Sequence, residues 1–215
     1  MPNSSVPAAP TLFHTLASRA GVTAAVPVSV QVLSVAFFAA LTAAAAQFSI
    51  HLPFTQVPVT LQPIVVLLGG LALGARLGAY SQCLYLAAGI AGLPVFATSA
   101  LLPPGALRLL GPTGGYLMAY PAAALVVGLC ADRGFGRRWA LSAMAMLLGL
   151  AIIYAGGTIW LAYFARLGGA AVSTGLASAF ASGVAPFALA DAAKVAIAAS
   201  AVPALWRLVG RPDVR

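Results

Sequence analysis

Charge is what this sequence lacks most. Only 7% of its residues are charged, and Asp and Glu together number three. Soluble domains carry about 25% charged residues, so this composition excludes a water-soluble fold. Apolar residues make up 62% of the chain, in long runs, and the mean hydropathy is +1.02. Because helices can satisfy their own backbone polar groups in lipid, we predict an all-α integral membrane protein.

The motifs of catalysis and metal binding are absent as well. The two cysteines lie inside apolar runs, and the two histidines are far apart, so no spacing fits a disulfide framework or a metal site. There is no G-x-x-x-x-G-K-[ST] loop, G-x-S-x-G, H-E-x-x-H or pair of catalytic carboxylates. We therefore predict no enzyme activity, no metal and no cofactor. If ATP powers transport here, the ATPase is another polypeptide.

The basic residues are the next feature. The net charge of +8 could indicate nucleic-acid binding, but the ten arginines stand at the ends of apolar segments, without a basic stripe or interleaved aromatics. We interpret them as residues that set membrane topology. With the N-terminus inside, two arginines, Arg108 and Arg166, face outward, and eight face inward: Arg19, Arg76, Arg133, Arg137, Arg138, Arg207, Arg211 and Arg215. This bias predicts that both termini are cytoplasmic.

Six apolar segments fit a bundle of six transmembrane helices. Each crossing needs roughly 20 apolar residues, and the segments cover about 28–50, 64–75, 79–91, 116–131, 139–165 and 186–206. Before them, residues 1–27 contain four prolines and are predicted to be a poorly ordered tail. The membrane domain is predicted at 28–206, and a basic tail at 207–215. The first run also resembles a signal peptide, but it is long enough to be a true span.

The connections between these segments are also predicted from composition. Residues 76–78, Arg-Leu-Gly, are expected to separate the second helix from the third. The Gly/Pro-rich stretch GLPVFATSALLPPGALRLLGPTGG is expected to be a long connection, and RLGGAAVSTGLAS a loose one. In the predicted orientation, the connections after the first and third spans face outward. They would then form lids over an outward-facing pocket.

An aspartate and the one lysine of the chain stand inside the sixth segment. Asp191 and Lys194 are three residues apart in PFALADAAKVAIAA, which places them on one face of a helix. Buried ion pairs stabilise poorly because desolvation offsets the Coulomb attraction, and ionisable residues within membranes are usually functional. We favour a binding role over a purely structural pair. A carboxylate beside an ammonium suits a small ligand that carries N–H donors next to a carbonyl.

Uncharged polar and aromatic residues add further candidates, although each alone is more typical of helix packing. VPVTLQP and LGPTGGYL place polar groups near the predicted outer side, and IIYAGGTIW places two aromatic rings beside a glycine gap that could hold a flat ring. The candidate binding residues from these stretches are Thr60, Gln62, Tyr116, Tyr154, Gly157 and Trp160.

The first span carries small residues at four-residue spacing. Ala36, Ala40 and Ala44 form one such row, and Ala39 and Ala43 form another. Small residues at this spacing let helices approach closely. The row fits either packing within the protein or docking against another membrane protein.

Taken in order, VPVTLQPIVVLLGGLALGARLGAYSQCLYLAAGIAGLPVFA, LLGPTGGYLMAYPAAALVVG, IYAGGTIWLA and PFALADAAKVAIAA resemble the BioY family. These are the biotin-binding substrate (S) components of energy-coupling-factor (ECF) transporters in bacterial cell membranes. The resemblance covers about residues 28–205 and rests on the combination of motifs. It implies a six-helix bundle that binds biotin on its outer side. It also implies a partner module of one transmembrane scaffold and two cytoplasmic ATPases, in which the scaffold is docked by the alanine row of the first helix.

Biotin fits the chemistry of the candidate residues. Its ureido ring has two N–H donors flanking a carbonyl, complementary to Asp191 and Lys194, and Arg108 is the candidate partner for its carboxylate. The opposite orientation, with the carboxylate on Lys194, stays open. Two other functions compete with the S component. One is a stand-alone carrier coupled to ions or protons, with Asp191 as the titrating group, and the other is an intramembrane enzyme.

Overall fold

The computed structural model describes residues 11–19, 26–53, 55–99, 102–167 and 172–209. Within these ranges the chain is a bundle of α-helices with one two-residue antiparallel ladder, which pairs β1 (Ser49–Ile50) with β2 (Val59–Thr60). The helices are α1 (Leu12–Arg19), α2 (Val28–Gln47), α3 (Gln62–Leu73), α4 (Ala75–Ile90), α5 (Leu107–Leu110), α6 (Gly114–Asp132), α7 (Trp139–Leu167), α8 (Val172–Gly183), α9 (Ala185–Ala198) and α10 (Ala201–Val209).

The apolar helices agree with a membrane protein. Among the described residues, four helical segments are long and apolar enough to cross a bilayer, namely Val28–Gln47, Gly114–Asp132, Trp139–Ala165 and Ala185–Leu208. α3 is apolar but shorter than a full span, as predicted for the second segment. The predicted count of six crossings and the side on which the termini lie stay predictions.

The core of the bundle surrounds α6, which packs against α7, α4 and α3. Ala123, Ala124 and Val127 of α6 are fully buried. Glycines allow the backbones to approach closely, because a side chain at Gly70 of α3 would meet the backbone of Ala124. α2 packs against α4 and α3 at one side, so much of its surface is left exposed.

The break between α3 and α4 lies earlier than predicted. Arg76, Leu77 and Gly78 belong to the first turns of α4, and the chain turns instead at Gly74, whose φ is +87°. Only glycine adopts this conformation without a steric penalty. The carboxylate of Asp132 then accepts a hydrogen bond from the backbone N–H of Ala75 at 3.3 Å, which satisfies a free donor of the new helix.

Two segments predicted to lack regular structure contain helices. Within the predicted tail 1–27, α1 buries Leu12, Phe13 and Ala17 and packs against α3 and α10. The tail prolines precede or follow residues 12–19, so none interrupts this helix. α8 occupies much of the predicted loose connection and buries Ala179. Apolar contact with α7 and α9 stabilises it despite its small residues.

The predicted C-terminal boundary shifts for the same reason. α10 continues to Val209, past the expected end of the membrane domain at residue 206, and the Trp206 ring lies 5.1 Å from the Arg137 guanidinium. The remaining parts of the predicted tails, residues 1–10, 20–25 and 210–215, lie outside the described residues.

Candidate ligand-binding cavity

A cavity of about 330 Å³ lies at the end of the bundle where the two longest connections meet. Small-molecule sites have volumes of about 300–1,000 Å³, so the cavity suits a compact ligand. Its walls come from the connection after α2, the connection between α4 and α6, and helices α6, α7 and α9. Six of the nine predicted binding residues line it: Thr60, Gln62, Arg108, Tyr116, Tyr154 and Asp191.

Asp191 is the charged group that faces this cavity from α9. Its Oδ1 accepts a hydrogen bond from Lys194 Nζ at 2.9 Å, and its Oδ2 accepts one from the Tyr154 hydroxyl at 2.8 Å. The two partners hold the carboxylate in one orientation. Each carboxylate oxygen has a further lone pair, so Asp191 keeps acceptor capacity for a ligand N–H group.

Lys194 lies beside the cavity and outside its lining residues. Its side chain is 25% exposed, against 12% for Asp191. The helical i, i+3 spacing places the ammonium one turn further along α9, next to the carboxylate. The structure therefore brings the predicted pair together, but only the aspartate reaches the cavity surface.

Gly157 and Trp160 also lie outside the cavity lining. The predicted gap at Gly157 is filled by the ring of Tyr116, which a side chain at position 157 would overlap. Trp160 Nε1 donates a hydrogen bond to the carbonyl of Gly111 at 2.8 Å, and its side chain packs on Gly115. Both residues thus support the cavity wall from behind, and Tyr116 itself is fixed by donating to the carbonyl of Gly183 at 2.9 Å.

Arg108 holds the connection that closes one side of the cavity. Its Nη1 donates to the carbonyl of Ala97 at 2.6 Å, and its Nε donates to the carbonyl of Pro103 at 3.1 Å. These bonds place a guanidinium at the cavity lining and tie it to the backbone at Ala97 and Pro103 at the same time. A guanidinium has five N–H donors, so donors remain for an anionic ligand group.

The two connections that line the cavity are joined to each other beside it. His51 Nε2 lies 3.0 Å from the carbonyl of Thr98, and the hydroxyls of Ser49 and Thr98 are 3.3 Å apart. Gln47 Nε2 donates to the carbonyl of Pro94 at 3.4 Å. Residues 51–52 and 96–99 both line the cavity, and we call these two stretches its cover. The hydrogen bonds between the two connections therefore hold the cover in place.

The comparison with known protein families identifies the family of this chain. The model of the BioY family matches residues 16–211. The chain belongs to the BioY family.

Curated relatives and a solved structure agree with this assignment. Over 168 residues the chain is 40% identical to "Probable biotin transporter BioY" of Pyrococcus horikoshii, covering 78% of this chain and 91% of that protein. It is 36% identical over 169 residues to "Biotin transporter BioY" of Thermotoga maritima, covering 79% and 91%. The crystal structure of "the S-component for biotin from an ECF-type ABC transporter" matches with a TM-score of 0.69 and 26% identity, covering 82% of this chain and 90% of that chain. The family and these relatives are transporters and not enzymes.

In this BioY family member, the alanine rows of α2 differ in their exposure. Ala36, Ala40 and Ala44 are exposed, whereas Ala39 is buried and Ala43 is half-buried against the bundle. Helical geometry separates the rows because positions one residue apart lie about 100° around the axis. Among the described residues, the second row is therefore the one that packs against the bundle.

Sequence reasoning missed several residues of the cavity wall. Phe96, Tyr120, Ile153 and Phe187 line it, and each is buried. They stand within apolar segments or a Gly/Pro-rich connection, where a single aromatic or aliphatic residue is indistinguishable from ordinary packing. Only their convergence in space identifies them.

Proposed function

We propose that this protein is a biotin-binding S component that mediates biotin uptake across the cell membrane, with energy supplied by a separate ECF module. The observation that carries the proposal is the ionised pair at the cavity: Asp191 presents a carboxylate that Lys194 and Tyr154 hold in place. The names of its relatives and of the matching structure supply the ligand and the transporter class.

The carboxylate of Asp191 accepts an N–H group of the ureido ring. A charge-assisted hydrogen bond of this kind is about twice as strong as a neutral one. Gln62 and Thr60 provide further polar groups, and Tyr116 and Tyr154 enclose the rings. Lys194 balances the charge of Asp191 and keeps its orientation. Without this partner, the carboxylate would be an isolated buried charge.

The guanidinium of Arg108 is the partner for the biotin carboxylate. It already contacts the connection that lines the cavity, so the ligand would bind between α9 and the outer cover. Biotin thus brings donors to an aspartate and an anion to an arginine. The valerate chain between them fits the apolar part of the wall, which includes Phe96 and Ile153.

Energy for uptake comes from a transmembrane scaffold and two cytoplasmic ATPases, and the scaffold docks on α2. The exposed row Ala36, Ala40 and Ala44 supports this, since an alanine stripe allows another helix to approach closely. The distribution of arginines supports a topology of six crossings with both termini cytoplasmic. The cavity would then open to the outside of a bacterial cell membrane, where free biotin is captured.

A thermal-shift panel of vitamins on the detergent-purified protein tests the ligand. A ligand at a hundred times its Kd stabilises the folded state by about 2.7 kcal/mol, so biotin should raise the melting temperature and thiamine and riboflavin should not. A shift with another vitamin and none with biotin would reject the assignment. Uptake in cells with and without the ATPases tests the energy source. Uptake that survives loss of the ATPases and stops when the proton gradient collapses would favour a stand-alone carrier.

A further inference from the structure

Tyr85 of α4 lies directly behind the cavity wall. It is 1% exposed and is not a lining residue, but its ring contacts two aromatic residues that are. The Phe96 ring meets it edge-on at 5.4 Å, and the Tyr120 ring stacks at 6.4 Å. Its hydroxyl reaches a third lining residue, because Gln62 Nε2 lies 2.6 Å from it. Tyr85 therefore touches the wall at three places without meeting the cavity.

The direction of these hydrogen bonds follows from counting protons. The Tyr85 hydroxyl also lies 3.3 Å from the carbonyl oxygen of Val95, and a carbonyl can only accept. A hydroxyl has a single proton, so Tyr85 donates it to Val95 and must accept from Gln62. The amide of Gln62 therefore turns its NH₂ group toward Tyr85. This contact decides between the two amide orientations, which otherwise look alike.

The carbonyl oxygen of Gln62 is left for the cavity. The hydrogen bonds of Gln62 within the described part of the chain use Nε2 alone. Nor does any fully buried side-chain N or O atom among the described residues lack a partner, so this oxygen is accessible. Gln62 itself is 3% exposed and lines the cavity, so the accessible side is the cavity side.

We infer that Tyr85 is a positioning residue: by accepting from the amide of Gln62, it fixes Gln62 as a hydrogen-bond acceptor for an N–H group of the ligand. This rests on the proposed function, and it makes Gln62 Oε1 a second acceptor besides the carboxylate of Asp191. A ligand with two N–H donors matches two acceptors. If the amide were free to rotate, it would present NH₂ to those donors in half of its orientations, and they would repel.

The Tyr85 hydroxyl also connects Gln62 to the connection that covers the cavity, because it bonds to both. Val95 precedes Phe96 in the connection that lines the cavity, and the Phe96 ring lies so close to α4 that a side chain at Gly89 would overlap it. One buried group thus sets the orientation of Gln62 and anchors the segment above it. Removing the hydroxyl should therefore weaken ligand binding, although no ligand atom touches it.

The test is a set of biotin dissociation constants and melting temperatures for the parent, Tyr85→Phe, Gln62→Leu and their combination. Tyr80→Phe is the matched control, since Tyr80 lies on the same helix and is exposed. We expect Tyr85→Phe to weaken binding about tenfold, the value of one hydrogen bond. Gln62→Leu should weaken it at least as much, and Tyr80→Phe should leave it unchanged. In the Gln62→Leu background, Tyr85→Phe should cause a clearly smaller loss of affinity than in the parent, because only its hydrogen bond to Val95 then remains to be broken.

Two results would overturn the inference. One is an unchanged biotin affinity in Tyr85→Phe. The other is a loss of affinity from Tyr85→Phe that is equally large in the parent and in the Gln62→Leu background. A purely structural role would lower the melting temperature and give the second result. If Tyr85→Phe folds too poorly to measure, 3-fluorotyrosine at position 85 keeps the ring and weakens the acceptor. Affinity should then fall, and an unchanged value would refute the role. If the unsubstituted protein fails to bind biotin, the proposed function is rejected instead. The vitamin that stabilises the protein then replaces biotin in the same set of measurements.

Discussion

Neutralising Asp191 and Lys194 singly and together separates a ligand-binding pair from a structural one. Asp191→Asn keeps the shape of the side chain but removes its charge, and it leaves the Lys194 ammonium without the partner now 2.9 Å away. Lys194→Met leaves the carboxylate with the Tyr154 hydroxyl alone. Removing one partner of a buried ion pair costs about 3–5 kcal/mol. Because the two side chains are 12% and 25% exposed, we expect each single variant to lose about 2–3 kcal/mol of folding stability.

The effect on binding should differ between the single and double variants. Each single change should weaken biotin binding by about 2–5 kcal/mol, which is at least about 25-fold, since it strands a charge beside the ligand and disturbs a charge-assisted hydrogen bond. The double variant contains neither charge, so its folding stability should equal or exceed that of either single variant. Its biotin affinity should stay low, because the carboxylate acceptor is still missing.

The assay is isothermal titration with biotin, combined with melting curves in the same detergent. Tyr163→Phe is a suitable control, because this tyrosine of α7 is exposed and is not a cavity-lining residue. Near-native affinity in the double variant would show that the pair only stabilises the bundle. Asp191 and Lys194 would then be removed from the proposed site.

Three further substitutions test the docking row, the cavity wall and the cover. Ala40→Leu should spare biotin binding and reduce uptake, because added volume blocks close approach of a partner helix. Ala39→Leu, on the buried side, should instead lower the melting temperature. If the purified Ala40→Leu variant loses biotin binding, the docking proposal is contradicted. Gly157→Ala should destabilise the folded protein by about 1–3 kcal/mol, since its methyl group overlaps an aromatic ring of the cavity wall. Gly136→Ala has room for the methyl group and should not destabilise it. Equal melting temperatures for these two variants would refute this packing. Arg108→Met should speed biotin dissociation, because it breaks the hydrogen bonds to Ala97 and Pro103 and removes the proposed carboxylate partner. The rate is measured by chase with unlabelled ligand, and an unchanged rate would exclude both roles.

Much of the class and part of the site could be predicted from residue types alone. A chain with so little charge and such long apolar runs has no soluble alternative. Within it, a charged pair is conspicuous because every ionisable residue in lipid is costly. Asp191 can therefore be selected as a candidate binding residue from the sequence alone, and it lines the cavity in the structure. Helix boundaries were predictable to within a few residues wherever proline or glycine stands at the end of an apolar run.

Other features depend on contacts between distant parts of the chain. α1 and α8 are short and weakly apolar, and they form because α10, α3, α7 and α9 cover them. The break at Gly74 depends on a positive φ and on a carboxylate 58 positions later in the chain, at Asp132. None of this leaves a local pattern, since the stabilising partner is remote in sequence.

Composition, charge and motifs were enough to identify a membrane protein, to show which family the chain resembles and to select Asp191 and Lys194 as candidates, because charge in lipid allows few alternatives. Tertiary structure decided how those residues are used. It put Asp191 at the cavity and Lys194 beside it, filled the gap at Gly157 with an aromatic ring, and placed Tyr85 behind Gln62. The physical reason is that a side chain's role depends on what lies within about 4 Å of it. In a helical bundle, those neighbours come from helices far apart in the chain.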